Sequence, residues 1–179
     1  MSRIFFTADT HFGHDRIIQH CGRPYPNAEE MDRDMIRIWN ETVGVADTVY
    51  HLGDFSMKGS EFVRTLLGQL HGRKILIRGN HDRSGVEDGW DAVHDMLLTE
   101  LDGERLFLCH YPMREWPQQW RGAVHLYGHV HGSLYPDPGS MDTGWDVWGK
   151  PVTIEEIRER AIPFSPDQAK HGRIRLRFH

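Results

Sequence analysis

Lys74-Ile75-Leu76-Ile77-Arg78-Gly79-Asn80-His81-Asp82 is a short, β-branched apolar run that stops abruptly in a polar turn. A stretch of this length, closed by Gly and by side chains that favour turns, reads as a buried strand delivering a loop. The loop carries a carboxamide, an imidazole and a carboxylate in succession.

The same arrangement recurs on both sides of it. Arg3 to Ala8 is a strand-like run followed by Asp9 and His11; Asp47 to Leu52 is followed by Gly53-Asp54. Arg105 to Cys109 ends in His110, and Ala123 to Tyr127 ends in Gly128-His129-Val130-His131. Between these runs lie helical signals. Asn27 caps a helix expected over Ala28 to Thr42, with Met31, Met35, Ile38 and Trp39 on one face and Ile36 beside them. Phe62, Leu66, Leu67 and Leu70 mark a second amphipathic helix, and Ile154 to Arg160 a third. Periodicity leaves Trp90 to Leu101 open between helix and strand. Pro136, Pro138 and Gly139 mark a turn region, Trp145 to Val152 reads as extended, and Cys21 falls in a loop. The tail Arg173 to Phe178 alternates basic and apolar residues, the pattern of an edge strand. Strands first alternate with helices and later follow one another, so the expected class is an α/β sandwich forming a single domain over residues 1–179.

Composition narrows the function. The chain's 39% hydrophobic and 26% charged residues are ordinary for a globular domain. A formal net charge of −5 disfavours a generic basic groove for long nucleic acid. No apolar run approaches the roughly 18 residues of a membrane span, and Ile4 to Phe6 is too short for a signal-peptide core, so the cytoplasm is the default expectation. The two cysteines cannot supply a disulfide framework or a multi-Cys zinc site, and Cys109 reads as a buried filler in its strand.

Asp9, His11, Asp54, Asn80, His81, His110, His129 and His131 all fall at or just past a strand end, where ligand sites assemble in layered α/β folds. Singly, each has a bland explanation: Asp9 and His11 as turn caps, Gly53-Asp54 as loop punctuation, His110 as a core histidine. Together they form a donor set of imidazoles, carboxylates and one carboxamide without thiolate, which suits Mn, Fe, Zn, Co or Ni. Seven ligands are too many for one ion and fit two ions sharing a bridge, for which the Asp54 carboxylate is the natural choice. Two divalent ions roughly 3.5–4 Å apart would clamp both oxygens of an in-line displacement at phosphorus. With Asp9, Asp54 and a bridging hydroxide they leave about +1, an electropositive spot for an anion in an acidic chain.

The order Asp9-x-His11, Gly53-Asp54, Gly79-Asn80-His81-Asp82, His110, Gly128-His129-x-His131 resembles the calcineurin-like metallophosphoesterase superfamily. The stretch Thr7 to His14 is similar to a compact bacterial and phage branch of it. The resemblance implies a four-layer α/β/β/α sandwich with two mixed sheets. It also implies Asp9, His11 and His131 on one metal, Asn80, His110 and His129 on the other, and Asp54 bridging. His81 then protonates the leaving oxygen, and Asp82 orients His81.

The expected activity is dinuclear-metal hydrolysis of phosphodiesters, in small nucleotides or nucleic-acid ends, by a metal-bridging hydroxide with Mn as the first candidate. Asn80 and His81 neutralise charge on the phosphate as the reaction proceeds. His14, Arg78, Arg83, Arg114 and Trp116 are candidate substrate contacts, Arg121 being a further candidate, and Trp120, Trp145 and Trp148 are further stacking surfaces for a base. The alternatives are a phosphomonoesterase, a non-catalytic metal-binding scaffold, and a single-zinc amidohydrolase. In the last, a His-x-His pair should end the first strand and a lone Asp the last, the reverse of the order here.

Overall fold

A computed structural model describes residues 2–82, 87–101, 103–135 and 137–162. In chain order the elements are β1 (Ile4–Thr7), α1 (Asp15–Cys21), α2 (Ala28–Thr42), β2 (Thr48–His51), α3 (Ser60–Leu67), β3 (Arg73–Ile77), β4 (Ala92–His94), β5 (Met96–Leu101), β6 (Glu104–Cys109), β7 (Val124–Tyr127), β8 (Ser140–Asp142), α4 (Trp145–Trp148), β9 (Val152–Thr153) and α5 (Ile154–Arg160). The tail predicted as an edge strand, Arg83 and Pro136 lie outside the described residues.

Two mixed sheets organise the chain. The first has the order β4-β3-β2-β1-β9, parallel except where β9 runs antiparallel to β1. The second has the order β5-β6-β7-β8, with only β5–β6 antiparallel. Short Ile-, Leu- and Phe-rich strands suit this arrangement, because parallel strands are covered on both faces. Phe6, Tyr50, Leu52, Ile75 and Ile77 face Leu106, Leu108, Leu126 and Met141 across the inter-sheet core, which α5 closes with Ile154 and Ile157. On the other face of the first sheet, Phe5, Val49 and Leu76 pack against α1, α2 and α3. The outer face of the second sheet is covered in part by an irregular connection. Among the described residues, Phe107 and Cys109 are covered there by Trp116, Ala123 and Met113 of the β6–β7 connection, which contains one 3-10 turn (Gln119–Arg121).

The helix predicted over Ala28 to Thr42 forms over those residues, with the Asn27 side chain accepting a hydrogen bond from Glu30 N at 2.9 Å. Met31, Met35 and Trp39 are fully buried. Asn27→Ala is expected to cost about 1 kcal/mol, a drop of roughly 2–4 °C in thermal unfolding, with no change in metal binding.

Other expectations need correction. Trp145 to Val152 is not extended: α4 is a helical turn packed by Trp145, and only Val152 enters a strand. On α3 the buried face is Val63, Leu66, Leu67 and, just beyond, Leu70, whereas Phe62 points outward at 37% exposure. Trp90 to Leu101 resolves into two strands that belong to different sheets. Cys21 ends a helix, α1, rather than lying in a loop. Among the described residues no helix is long and apolar enough to cross a membrane.

Candidate metal centre

Each of the five predicted strands delivers its polar residues to one end of the molecule. Backbone bonds splice the loops together: Asp9 N donates to Gly53 O (2.9 Å), His11 N to Asp54 O (3.0 Å), and Gly128 N to His110 O (3.0 Å). Two glycines make this closeness feasible. A Cβ on Gly79 would overlap the Asp54 carboxylate, and one on Gly128 would lie 2.5 Å from an Asp9 oxygen.

Asp9, His11, Asp54, His129 and His131 all have positive φ, between 49° and 72°. The left-handed region costs a non-glycine residue on the order of 1 kcal/mol or more, and such strain concentrates at functional sites. Here it turns side chains at the strand ends inward, toward one another.

The result is two clusters of donor atoms. Asp9, His11 and His131 offer ligand atoms within 4.8 Å of one another, and so do Asp54, His110 and His129. Asp54 sits between them: its Oδ2 lies 3.7 Å from His11 Nε2 and 3.5 Å from His110 Nε2. Asn80 adds its Oδ1, 3.1 Å from His110 Nε2.

The chemistry of these atoms fits cations. Asp9 Oδ1 and both ring nitrogens of His11 are buried without any hydrogen-bond partner, which a polar atom tolerates poorly. Burial, then the negative charges of Asp142 and Asp54, push the Asp9 pKa well above the usual carboxylate range. Burial, then His131 and Arg23, hold His11 down to about 2, so it is a neutral imidazole ready to ligate. His110 Nδ1 donates to Leu52 O at 2.8 Å, which leaves Nε2 facing Asn80 Oδ1 and Asp54 Oδ2. A divalent ion would satisfy all three acceptors.

His131 is held by a network that sequence reasoning missed. Its Nδ1 donates to Asp146 Oδ2 at 2.7 Å, leaving Nε2 as the ligand nitrogen. Arg23 grips Asp146 through Nε (2.7 Å) and NH2 (2.8 Å), and also donates to the backbone carbonyls of Thr10 (2.8 Å) and Asp9 (2.7 Å). Burial opposes ionisation of Asp146, but the bonds from His131 and Arg23 prevail and hold its pKa well below the usual range. A third cluster, Cys21, His131 and Asp146, is therefore no cation site of its own: Arg23 already occupies its carboxylate. Burial, then the Asp146 charge, push the Cys21 thiol to about 11, which disfavours the ligating thiolate.

His81 N donates to Asp54 Oδ1 (2.8 Å), and its half-exposed ring stands at the mouth of the site. Asp82 does not act on that ring directly as expected. Its carboxylate accepts from Asp54 N, Phe55 N and Gly79 N (2.8–3.0 Å), clamping the two loops that carry Asp54 and Asn80.

The geometry therefore joins seven predicted ligands in one pair of adjacent clusters. A family model for the calcineurin-like phosphoesterase superfamily domain matches residues 3–142. The chain belongs to the calcineurin-like phosphoesterase superfamily. This family placement carries metal-dependent hydrolysis of phosphoric esters. The phosphoesterase chain is 36% identical over 167 residues to an uncharacterised protein of Methanocaldococcus jannaschii, covering 88% of this chain and 90% of that protein. It is 31% identical over 193 residues to the gene 66 protein of Mycobacterium phage D29, covering 89% and 96%. A solved structure of a protein of unknown function from Aquifex aeolicus shares the fold, with a TM-score of 0.71 at 24% identity, covering 89% of this chain and 99% of that one.

A cleft of about 680 Å³ opens on this phosphoesterase centre, lined on one side by His11, Asp54, Asn80, His81, His129 and His131. Its other wall is α1, an element the sequence did not disclose, which contributes Arg16, Ile17, Gln19 and His20. His14 also lines it; the side chain makes no capping bond to α1, and its buried Nδ1 has no partner. The other proposed contacts are placed elsewhere. Arg78 is paired with Glu87 and Asp95, and Arg114 is exposed but does not line the cleft. Trp116 is buried with its Nε1 donating to Ala123 O at 2.7 Å, Trp145 is in the core, and Trp148 donates to Asp142 O while Arg160 covers its ring. The aromatic beside the site is Tyr111, 44% exposed, with its ring 4.8 Å from that of His129. Its position directly after His110 was the available signal.

Proposed function

We propose that this chain is a dinuclear-metal phosphodiesterase acting on small nucleotides or nucleic-acid ends. The observation that carries this reading is the pair of donor clusters meeting at Asp54, at the floor of a cleft whose far wall is polar and cationic. Asp9, His11 and His131 would hold one ion, Asn80, His110 and His129 the other, with Asp54 shared. When bound, the metals supply Lewis acidity toward phosphate oxygens and lower the pKa of a coordinated water.

The protein's own groups do the rest. The fixed loops pre-position the donors, so that little reorganisation accompanies the reaction. His81 stands free at the cleft mouth to give a proton to the departing oxygen. The cleft is larger than a phosphate alone needs and falls within the range of nucleotide-sized ligand sites. Arg16 and His20, one helical turn apart on α1, suit a second, non-scissile phosphate, and the exposed Tyr111 suits a base.

With Mn2+, bis-nitrophenyl phosphate should be cleaved faster than mono-nitrophenyl phosphate, and a panel of cyclic nucleotides, mononucleotides and short RNA and DNA should identify the natural class. Arg16→Ala should raise KM about tenfold for substrates with a second phosphate and leave bis-nitrophenyl phosphate unaffected. Preference for the monoester would overturn the diester assignment.

A further inference from the structure

We infer that Arg23 and Asp146 form a positioning unit for one of the two ion sites, the site of Asp9, His11 and His131. The inference rests on the two-ion reading above and adds an asymmetry between the sites.

The asymmetry lies in what stands behind one histidine of each site, His131 and His110. His110, on the Asn80 side, donates its Nδ1–H to a neutral carbonyl, Leu52 O. His131 donates its Nδ1–H to a half-buried carboxylate. A carboxylate behind an imidazole fixes the tautomer and makes the opposite nitrogen a stronger donor than a carbonyl does.

Arg23 extends the effect from a side chain to the backbone. One buried guanidinium bonds the carboxylate behind His131 and the carbonyls of Asp9 and Thr10, the residues that set the direction of Asp9 and His11. The ligands of this site come from two loops more than a hundred residues apart in sequence, and Arg23 with Asp146 ties them alongside the 2.8 Å bond from His129 N to Asp9 Oδ2. Asp9, His11 and His131 each hold positive φ, and such backbone persists only where its surroundings enforce it. The neighbouring donor set has no comparable ionic tie among the described residues. Asp9 also gives the first site one more carboxylate than the second, so the first should be the tighter.

The test is titration of the metal-free full chain with Mn2+, followed by calorimetry and by the electron paramagnetic resonance signal of bound Mn2+. The wild type should take two ions in two steps. Asp146→Asn should weaken the tighter step about 10- to 100-fold and leave the weaker step within about twofold, and Asp146→Glu should restore part of the loss. Arg23→Lys keeps the buried charge pair and removes the fork that spans both loops; it should weaken the same step, and it decides the matter if Asp146→Asn does not fold. Unchanged constants in the folded variants, or a change confined to the weaker step, would overturn the inference. A wild type that takes a single ion would sink the two-ion reading instead, and the Asp146 effect on that ion would still decide this one.

Discussion

Asp54→Asn should lower kcat/KM by on the order of a thousandfold or more and reduce the bound Mn2+ from two ions to one or none. The substitution keeps the shape of the side chain and an oxygen able to accept the 2.8 Å bond from His81 N. What it removes is the charge shared by the two clusters, whose nearest imidazole nitrogens stand 3.5 and 3.7 Å from Asp54 Oδ2. Several kcal/mol of charge stabilisation depends on such a bridge, and each 1.36 kcal/mol is about a factor of ten in rate.

The same substitution should act in the opposite direction on the metal-free fold. Burial and then the charges of Asp142 and Asp54 disfavour the ionised form of Asp9. Neutralising Asp54 relieves part of that repulsion, so metal-free Asp54→Asn should melt a few degrees above metal-free wild type, at roughly 2–4 °C per kcal/mol. Added Mn2+ should stabilise the wild type and do little for the variant. Acid side chains gathered without cations are a standing cost to the apoprotein, as expected where a site is shaped for function rather than stability. A variant that retains two ions and full activity would remove Asp54 from the bridging role; a less stable apo variant would refute the repulsion argument.

How much of this was visible in the chain depends on the range of the forces involved. Asn27 and the spaced Met31, Met35 and Trp39 act within a few residues of one another, and the helix they predict has the bounds found. The strand ends at Asp9, Asp54, Asn80, His110 and His129 were legible because residue types change sharply there. Helices α1 and α4, seven and four residues long, are too short for periodicity to register, and α1 turned out to form a wall of the cleft. On α3, choosing Phe62 over Val63 rotated the assigned face by one residue, about 100°. Substrate contacts were the least legible. Arg78 and Trp116 sit beside motif residues in sequence, but ion pairs and core packing claim them. The Arg23–Asp146 pair spans 123 positions and has no local signature, since it exists only once the two ligand loops have met. The left-handed backbone at five of the seven predicted ligands is similarly a product of the assembled site.

His81→Ala should separate substrates by their leaving groups. The His81 backbone is anchored through its N–H to Asp54, while its side chain is 40% exposed, with Nε2 3.9 Å from Asp54 Oδ2. It belongs to neither donor cluster, so the variant should still bind two Mn2+. A ring tethered at its base and free at its tip can reach an oxygen leaving on the cleft side. Such an oxygen, when it is an alkoxide, departs only as fast as it is protonated, and a positioned acid contributes about 10²- to 10⁴-fold to that step. Dinucleotides and alkyl esters should therefore lose activity by that range in His81→Ala. Bis-nitrophenyl phosphate, whose leaving group departs as a stable anion, should lose less than about tenfold, an amount that reflects lost contact with the phosphate alone. Equal losses on both substrates with metal content intact would show that His81 only holds the phosphate, and the proton would have to come from elsewhere, with His14 at the same cleft the next residue to vary.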